Sequence, residues 1–225
     1  NNTGLSARGK LGNPEIDAVT FENGQAEPMN REGMEKYVSA EMCHTINDHW
    51  GYGSGDINYK SPRELIESLC NCRRVGANYL LNIGPEGQGK INSYQRELLL
   101  LIGRWMDVFG EAVYNGRPYA AKCDGKSFIL KSADGKHIYI FAYDLGTAGD
   151  SNVIVDGRPV GNYIFDGVQE KISSIEWMDN GEKLDFFQDQ EKLRINMTKY
   201  PYGTSYIVRV AKGEIVPSDQ VYEGV

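Results

Sequence analysis

Hydrophobic and polar positions follow two rhythms along the chain, and the change falls near residue 115. Before it, the spacing predicts a helix that starts at Ser61-Pro62. Ser61 is placed to cap, Pro62 to occupy the first helical position, and Glu64 to close the box three residues on. Leu65, Ile66 and Leu69 share one face of that helix. Residues 79–83 are almost continuously apolar and end at Gly84-Pro85, the pattern of a strand buried on both faces of a parallel sheet. A shorter strand-like alternation runs through Asp17, Ala18, Val19, Thr20 and Phe21. A second helix is predicted over 93–109, with Leu98, Leu99, Ile102, Trp105 and Met106 on its inner side and Gly110 as its stop. Helix, buried strand, glycine-rich loop and helix make an α/β texture.

Beyond Pro118 the period drops to two. Residues 128–130 and 137–141 flank Asp134-Gly135, a strong hairpin signal. Similar runs occur at 153–155 before Asp156-Gly157, at 172–177 before Asn180-Gly181, at 193–197 and at 206–210. Short strands at this spacing predict an antiparallel β-sandwich. The expected fold class is therefore α/β plus all-β, with residues 1–115 as one domain and 116–225 as the other. The turns of the second part gather no catalytic residue types, which leaves it a structural or sugar-contacting role.

A length of 225 residues admits one large or two modest domains, and 40% apolar with 24% charged residues fits a folded protein. The longest apolar candidate, 98–105, is broken by Gly103 and Arg104, well short of a membrane span. With a net charge of -7 and no basic stripe, the chain offers nucleic acid no foothold. Four cysteines are too few for a disulfide scaffold. Cys70 and Cys72 lie two apart on a predicted helix and face different ways, so buried thiols are expected. The three histidines have no ligand spacing to a cysteine, and no metal site is expected.

Candidate chemistry narrows to three places. Gly84 to Lys90 fits the first seven positions of a phosphate-binding loop, but Ile91 stands where a hydroxyl must meet magnesium and Glu86 would put negative charge inside the cradle, so a tight strand-to-helix turn is expected. Glu22 sits where a strand gives way to Asn23-Gly24. On a parallel barrel such strand ends hold catalytic groups, while a solvated surface glutamate is the simpler alternative. Trp50 lies in a polar stretch beside the glycines of 51–55; a flat ring there can cover the apolar face of a sugar, or pack as an ordinary core aromatic. No Gly-x-Ser-x-Gly elbow occurs.

Taken together, Glu41-Met42-Cys43-His44-Thr45-Ile46-Asn47-Asp48-His49-Trp50-Gly51-Tyr52, Tyr59-Lys60-Ser61 with Leu65-Ile66, Asn78-Tyr79-Leu80-Leu81-Asn82-Ile83-Gly84-Pro85 with Gly89 and Ile91, and Ile102-Gly103-Arg104-Trp105 with Gly110-Glu111-Ala112-Val113-Tyr114 resemble the carboxy-terminal part of an α-L-fucosidase of glycoside hydrolase family 29. The resemblance implies the later part of a (β/α) TIM-type barrel followed by a β-sandwich, and a retaining hydrolysis of terminal α-L-fucose from fucosylated glycans or fucosides. It makes Glu22 the acid/base, Arg8 a substrate-binding arginine, although two residues further from Glu22 than the family's pattern, and Trp50 a lining of the sugar pocket. Ala40 departs from the family's tryptophan, which bears on local packing. No cofactor or metal is implied. The family's nucleophilic aspartate belongs to the first half of the barrel, so the missing amino-terminal half is the expected partner. Asp17 cannot replace it, because five residues of extended strand set it roughly 16 Å from Glu22. The resemblance leans towards a secreted, periplasmic or lysosomal setting, and unpaired cysteines towards the cytoplasm. The alternative function is a non-catalytic carbohydrate-binding or assembly module.

Overall fold

The computed structural model describes residues 5–6, 10–11, 15–28, 37–147, 160–204 and 206–217. Arg8 and the strand expected at 153–155 lie outside them. The chain divides into two compact units, Asn1–Arg104 and Trp105–Val225.

In the first unit, β1 (Leu5–Ser6) and β2 (Lys10–Leu11) form a short antiparallel ribbon. Its centre is a parallel sheet of β3 (Ala18–Glu22), β4 (Ser39–Thr45) and β5 (Asn78–Asn82), in that order. Val19 and Phe21 of β3 and Ala40 and Met42 of β4 share one buried face. Cys72 and Val75 of α1 (Pro62–Val75), together with Ala77, close over that face. The Cys72 thiol donates to Met42 Sδ at 3.6 Å, and burial pushes its pKa up to about 12. Ala40, only 4% exposed, is a small residue facing inward at this layer.

The start of α1 follows the sequence prediction. Ser61 Oγ accepts from Glu64 N at 3.1 Å, Pro62 opens the helix, and Gly76 ends it at φ 78 with its N–H on Arg73 O. Two expectations are corrected. Residues 79–83 are not buried on both faces: β5 lies at the sheet edge and Leu80 is 49% exposed. The second helix, α2 (Ser93–Asn115), runs through Gly110, because Phe109, Ala112 and Val113 continue its buried face past the glycine. The division into units falls inside α2, after Arg104.

In the second unit, β6 (Gly116–Pro118), β8 (Phe128–Ser132), β9 (His137–Tyr143), β11 (Ile172–Trp177) and β14 (Val208–Ile215) form a five-stranded sheet in the order β11-β14-β9-β8-β6. A four-stranded sheet runs β12 (Phe186–Asp189), β13 (Lys192–Asn196), β10 (Asn162–Asp166), β7 (Lys122–Cys123). All these pairings are antiparallel. Both sheets feed one sandwich-like core, which includes Ile140, Phe165, Trp177, Leu193 and Ile195. The hairpin at Asp134-Gly135 forms as expected, with Gly135 at φ 75. The strand expected from residue 206 begins at Val208, after Ile207 at φ 70.

Arg209 is fully buried in this unit. Its Nε and Nη2 donate to Asp179 at 2.9 and 3.1 Å, and Nη1 donates to Lys199 O at 3.0 Å. The guanidinium also lies 4.0 Å from the Trp177 ring. Of the four cysteines, Cys70 and Cys72 are buried, Cys43 and Cys123 half-buried, and all are free thiols. Among the described residues no helix is long and apolar enough to cross a membrane, and no group of three or more potential metal ligands occurs.

Candidate active site

Because β3, β4 and β5 are parallel, all three end on one edge of their sheet, and several polar residues stand there. Glu22 is the last residue of β3, beside Cys43 of β4, and is exposed. Asn23 turns the chain at φ 48. Its N–H donates to Cys43 O at 2.9 Å and its Oδ1 accepts from Thr45 N at 3.4 Å. These two bonds fix the end of β3 to β4 immediately after Glu22. Desolvation, then the charges of Glu22 and Glu41, raise the pKa of the Cys43 thiol, which keeps it protonated and unfit as a nucleophile.

At the end of β4, Ile46 N donates to Asn82 O at 3.1 Å, and Lys60 Nζ donates to Thr45 Oγ1 and Asn47 O, both at 3.3 Å. Asn47 is 2% exposed. Its Oδ1 and that of Asn82 are buried with no hydrogen-bond partner among the described residues. Two unmatched acceptors at one strand edge are costly in isolation and are suited to receive hydroxyl donors. Burial, then the Lys60 charge, lower the pKa of His44, so its imidazole is neutral at neutral pH.

Trp50 stands on the loop that leaves β4 at this same edge, and it is 41% exposed. It is not a core aromatic, which removes the packing alternative. Asp56 organises the loop: one carboxylate oxygen accepts from Asp48 N at 3.0 Å and lies 2.7 Å from His49 Nδ1, while the other accepts from Asn58 N at 3.0 Å. The loop after β5 touches it closely, since a Cβ placed on Gly84 would meet Gly51 O at 2.3 Å. Further out, Tyr59 stacks on Tyr94 and its hydroxyl accepts from Asn92 Nδ2 at 3.2 Å.

The phosphate-loop lookalike closes on itself. Glu86 N donates to Lys90 O and Gly89 N to Glu86 O, each at 2.8 Å, so these N–H groups do not face a ligand, in line with the tight turn expected. Glu22 and the Trp50 loop thus occupy the ends of neighbouring strands. Sequence reasoning passed over Asn23, Asn47, Asp56, Lys60 and Asn82. Only Asn23 carried a local signal, as the first residue of an Asn-Gly pair after a strand.

The relatives of this chain are glycoside hydrolases. Their family is α-L-fucosidase, whose family model matches residues 10–111. The α-L-fucosidase of Dictyostelium discoideum is 29% identical over 125 residues, covering 54% of this chain and 26% of that protein. The tissue α-L-fucosidase of Homo sapiens is 39% identical over 105 residues, covering 44% and 22%. In fold, α-L-fucosidase isoenzyme 1 of Paenibacillus thiaminolyticus superposes with a TM-score of 0.70 at 22% identity, over 89% of this chain and 45% of that one. A GH29 α-L-fucosidase of Bacteroides thetaiotaomicron gives 0.69 at 17% identity, over 90% and 44%; its structure holds a trapped covalent intermediate, in complex with 2-fluoro-fucosyl fluoride and obtained with a Glu-to-Gln mutant. The chain thus spans less than half the length of the relatives it matches.

Proposed function

We propose that this chain is the carboxy-terminal part of a retaining α-L-fucosidase, comprising the later strands and helices of a (β/α) TIM-type barrel and a β-sandwich. The observation that carries the reading is positional. Within the segment matched by the family model, Glu22 ends one parallel strand and the Trp50 loop leaves the same edge of the next. Barrel enzymes keep their chemistry at that strand end. Asp17 precedes β3 at the opposite end, which agrees with a nucleophile supplied from elsewhere.

In this reading Glu22 protonates the leaving oxygen of a terminal α-L-fucoside while a carboxylate from the amino-terminal half of the barrel attacks the anomeric carbon. Glu22 then takes a proton from the water that releases fucose. Trp50 covers the apolar face of the sugar, and Arg8 hydrogen-bonds near the reacting centre. The covalent intermediate of the Bacteroides relative supports the two-step course, since only a retaining enzyme passes through one.

The test is hydrolysis of an aryl fucoside by this chain, alone and together with the upstream part of its barrel. Turnover is expected only in the second case, and normal turnover by the chain alone overturns the division of labour. In the complete enzyme, Glu22→Ala should impair poor leaving groups far more than activated ones, with azide restoring the latter. Equal loss on both substrates removes Glu22 from the role. Fucose binding without turnover in either arrangement would favour the non-catalytic module.

A further inference from the structure

In the sandwich unit, the β8–β9 hairpin, the segment before β11 and the end of β14 enclose a cleft of about 840 Å³, within the range of small-molecule sites. Three lysines, Lys131, Lys136 and Lys171, meet there in a chain whose net charge is -7. The backbones of two are fixed by consecutive residues: Ile215 N donates to Lys136 O at 2.9 Å and Val216 N to Lys171 O at 2.8 Å. Lys136 and Lys171 therefore flank the end of β14. Gln188 braces the segment next to Lys171, accepting from Ile172 N at 3.0 Å and donating to Glu170 O at 2.8 Å.

The charges in the cleft are not equally compensated. Lys131 Nζ lies 2.6 Å from Glu170 Oε1, and Glu170 also accepts from the Tyr119 hydroxyl. Glu214 Oε2 lies 3.0 Å from His137 Nδ1. Lys136 and Lys171 are exposed and make no ion pair among the described residues. Glu170 is thus engaged by Lys131, whereas Glu214 makes no hydrogen bond with His137, so one carboxylate stands against the two free ammonium groups. An ammonium is a compact point charge that suits phosphate-type oxyanions, which offer several oxygens to separated donors.

We propose that this cleft binds a sulfate or phosphate group between Lys136 and Lys171, either as the free anion or as an ester carried on a sugar. The proposal concerns the second unit alone and does not depend on the hydrolytic reading of the first.

Calorimetric titration of the 225-residue chain with sodium sulfate, sodium phosphate and galactose 6-sulfate, at ionic strength held constant with chloride, tests it. Saturable 1:1 binding of at least one is expected. Replacing both free lysines (K136Q with K171Q) should weaken it by about tenfold or more, and Glu214→Gln should strengthen it by removing a repulsive charge. Tighter binding of the ester than of the inorganic anions assigns the site to a modified sugar, and the reverse assigns it to the free anion. Both lysines are exposed, so the variants should keep the parent circular dichroism spectrum; if the double variant does not, each single variant carries the same comparison. No saturable heat with any of the three, or affinity unchanged by the lysine substitutions, overturns the proposal.

Discussion

In the first unit the amides of Asn47, Asn82 and Gln95 hold buried atoms with no partner among the described residues, whereas in the second the buried guanidinium of Arg209 is met by Asp179, the Lys199 carbonyl and the Trp177 ring. A buried polar group is tolerated when matched and costs about 1 to 3 kcal/mol when not. The second unit matches its buried guanidinium and leaves one ring nitrogen, His137 Nδ1, without a hydrogen bond among the described residues. The parallel sheet leaves acceptors unmatched, and those of Asn47 and Asn82 lie at the edge that carries Glu22 and the Trp50 loop. Where a fold departs from local satisfaction, a functional demand is the first place to look.

The comparison can be broken most forcefully at Arg209. Arg209→Ala leaves the Asp179 carboxylate, 3% exposed, without its partner, and should cost about 3 to 5 kcal/mol. Urea unfolding followed through the near-ultraviolet signal of Trp177 checks it; a loss below about 1 kcal/mol would mean the network is dispensable.

Gly84→Ala comes next. Its new methyl would press on the Gly51 backbone at 2.3 Å, and overpacking of this kind costs about 1 to 3 kcal/mol. The strain should appear in the first unit, as faster proteolysis within residues 47–58, with the Trp177 signal unchanged.

Ser61→Ala removes the cap acceptor for Glu64 N and should cost about 1 kcal/mol. Denaturation midpoints of variant and parent settle the value, with Ser61→Asp expected to restore it.

The smallest effect is a pH dependence of the Trp50 loop. The hydrogen bond and charge of Asp56 raise the pKa of His49 above its ordinary 6.5, and the same hydrogen bond lowers that of Asp56 below 3.8. The raised histidine contributes fully below 6.5 and loses its contribution as pH rises through the folded value. The depressed aspartate contributes above 3.8 and loses its contribution as pH falls through the folded value. The pair should therefore be complete between 3.8 and 6.5 and weaken on either side. Proton NMR of the His49 ring should show the raised titration and its return to ordinary behaviour in Asp56→Asn.

Much of this organisation was legible in sequence because it rests on local physics. The Ser61-Pro62 helix start, the Asp134-Gly135 hairpin and the antiparallel second half each follow from a cap, a turn or a period of two. β4 was not legible as a strand. Its sequence, Ser-Ala-Glu-Met-Cys-His-Thr, reads as polar, yet it forms the middle of the parallel sheet, with Ala40 and Met42 on its buried face. Residues 79–83 misled in the opposite direction: an apolar run promises burial, but burial depends on what lies on either side, and β5 is an edge. Gly110 promised a helix end that the packing of Phe109 and Ala112 overrode.

For the candidate site, the sequence pointed to Glu22 by its place after a strand and to Trp50 by its glycine-rich setting, and the structure places both at the ends of neighbouring strands; the sequence also carried the blocks that resemble the α-L-fucosidases. It could not supply Asp56, Lys60, Asn47 or Asn82: Asp56 and Lys60 find their partners through the closure of the loop after β4, and whether the Asn47 and Asn82 side chains stay unmatched depends on what the fold buries around them. The sequence by itself determined where elements start, turn and alternate, because these depend on neighbours within a few residues. Only the tertiary structure decided which strand lies at the centre, which polar groups stay unmatched and which lysines share a cleft, because those outcomes depend on residues brought together by the fold.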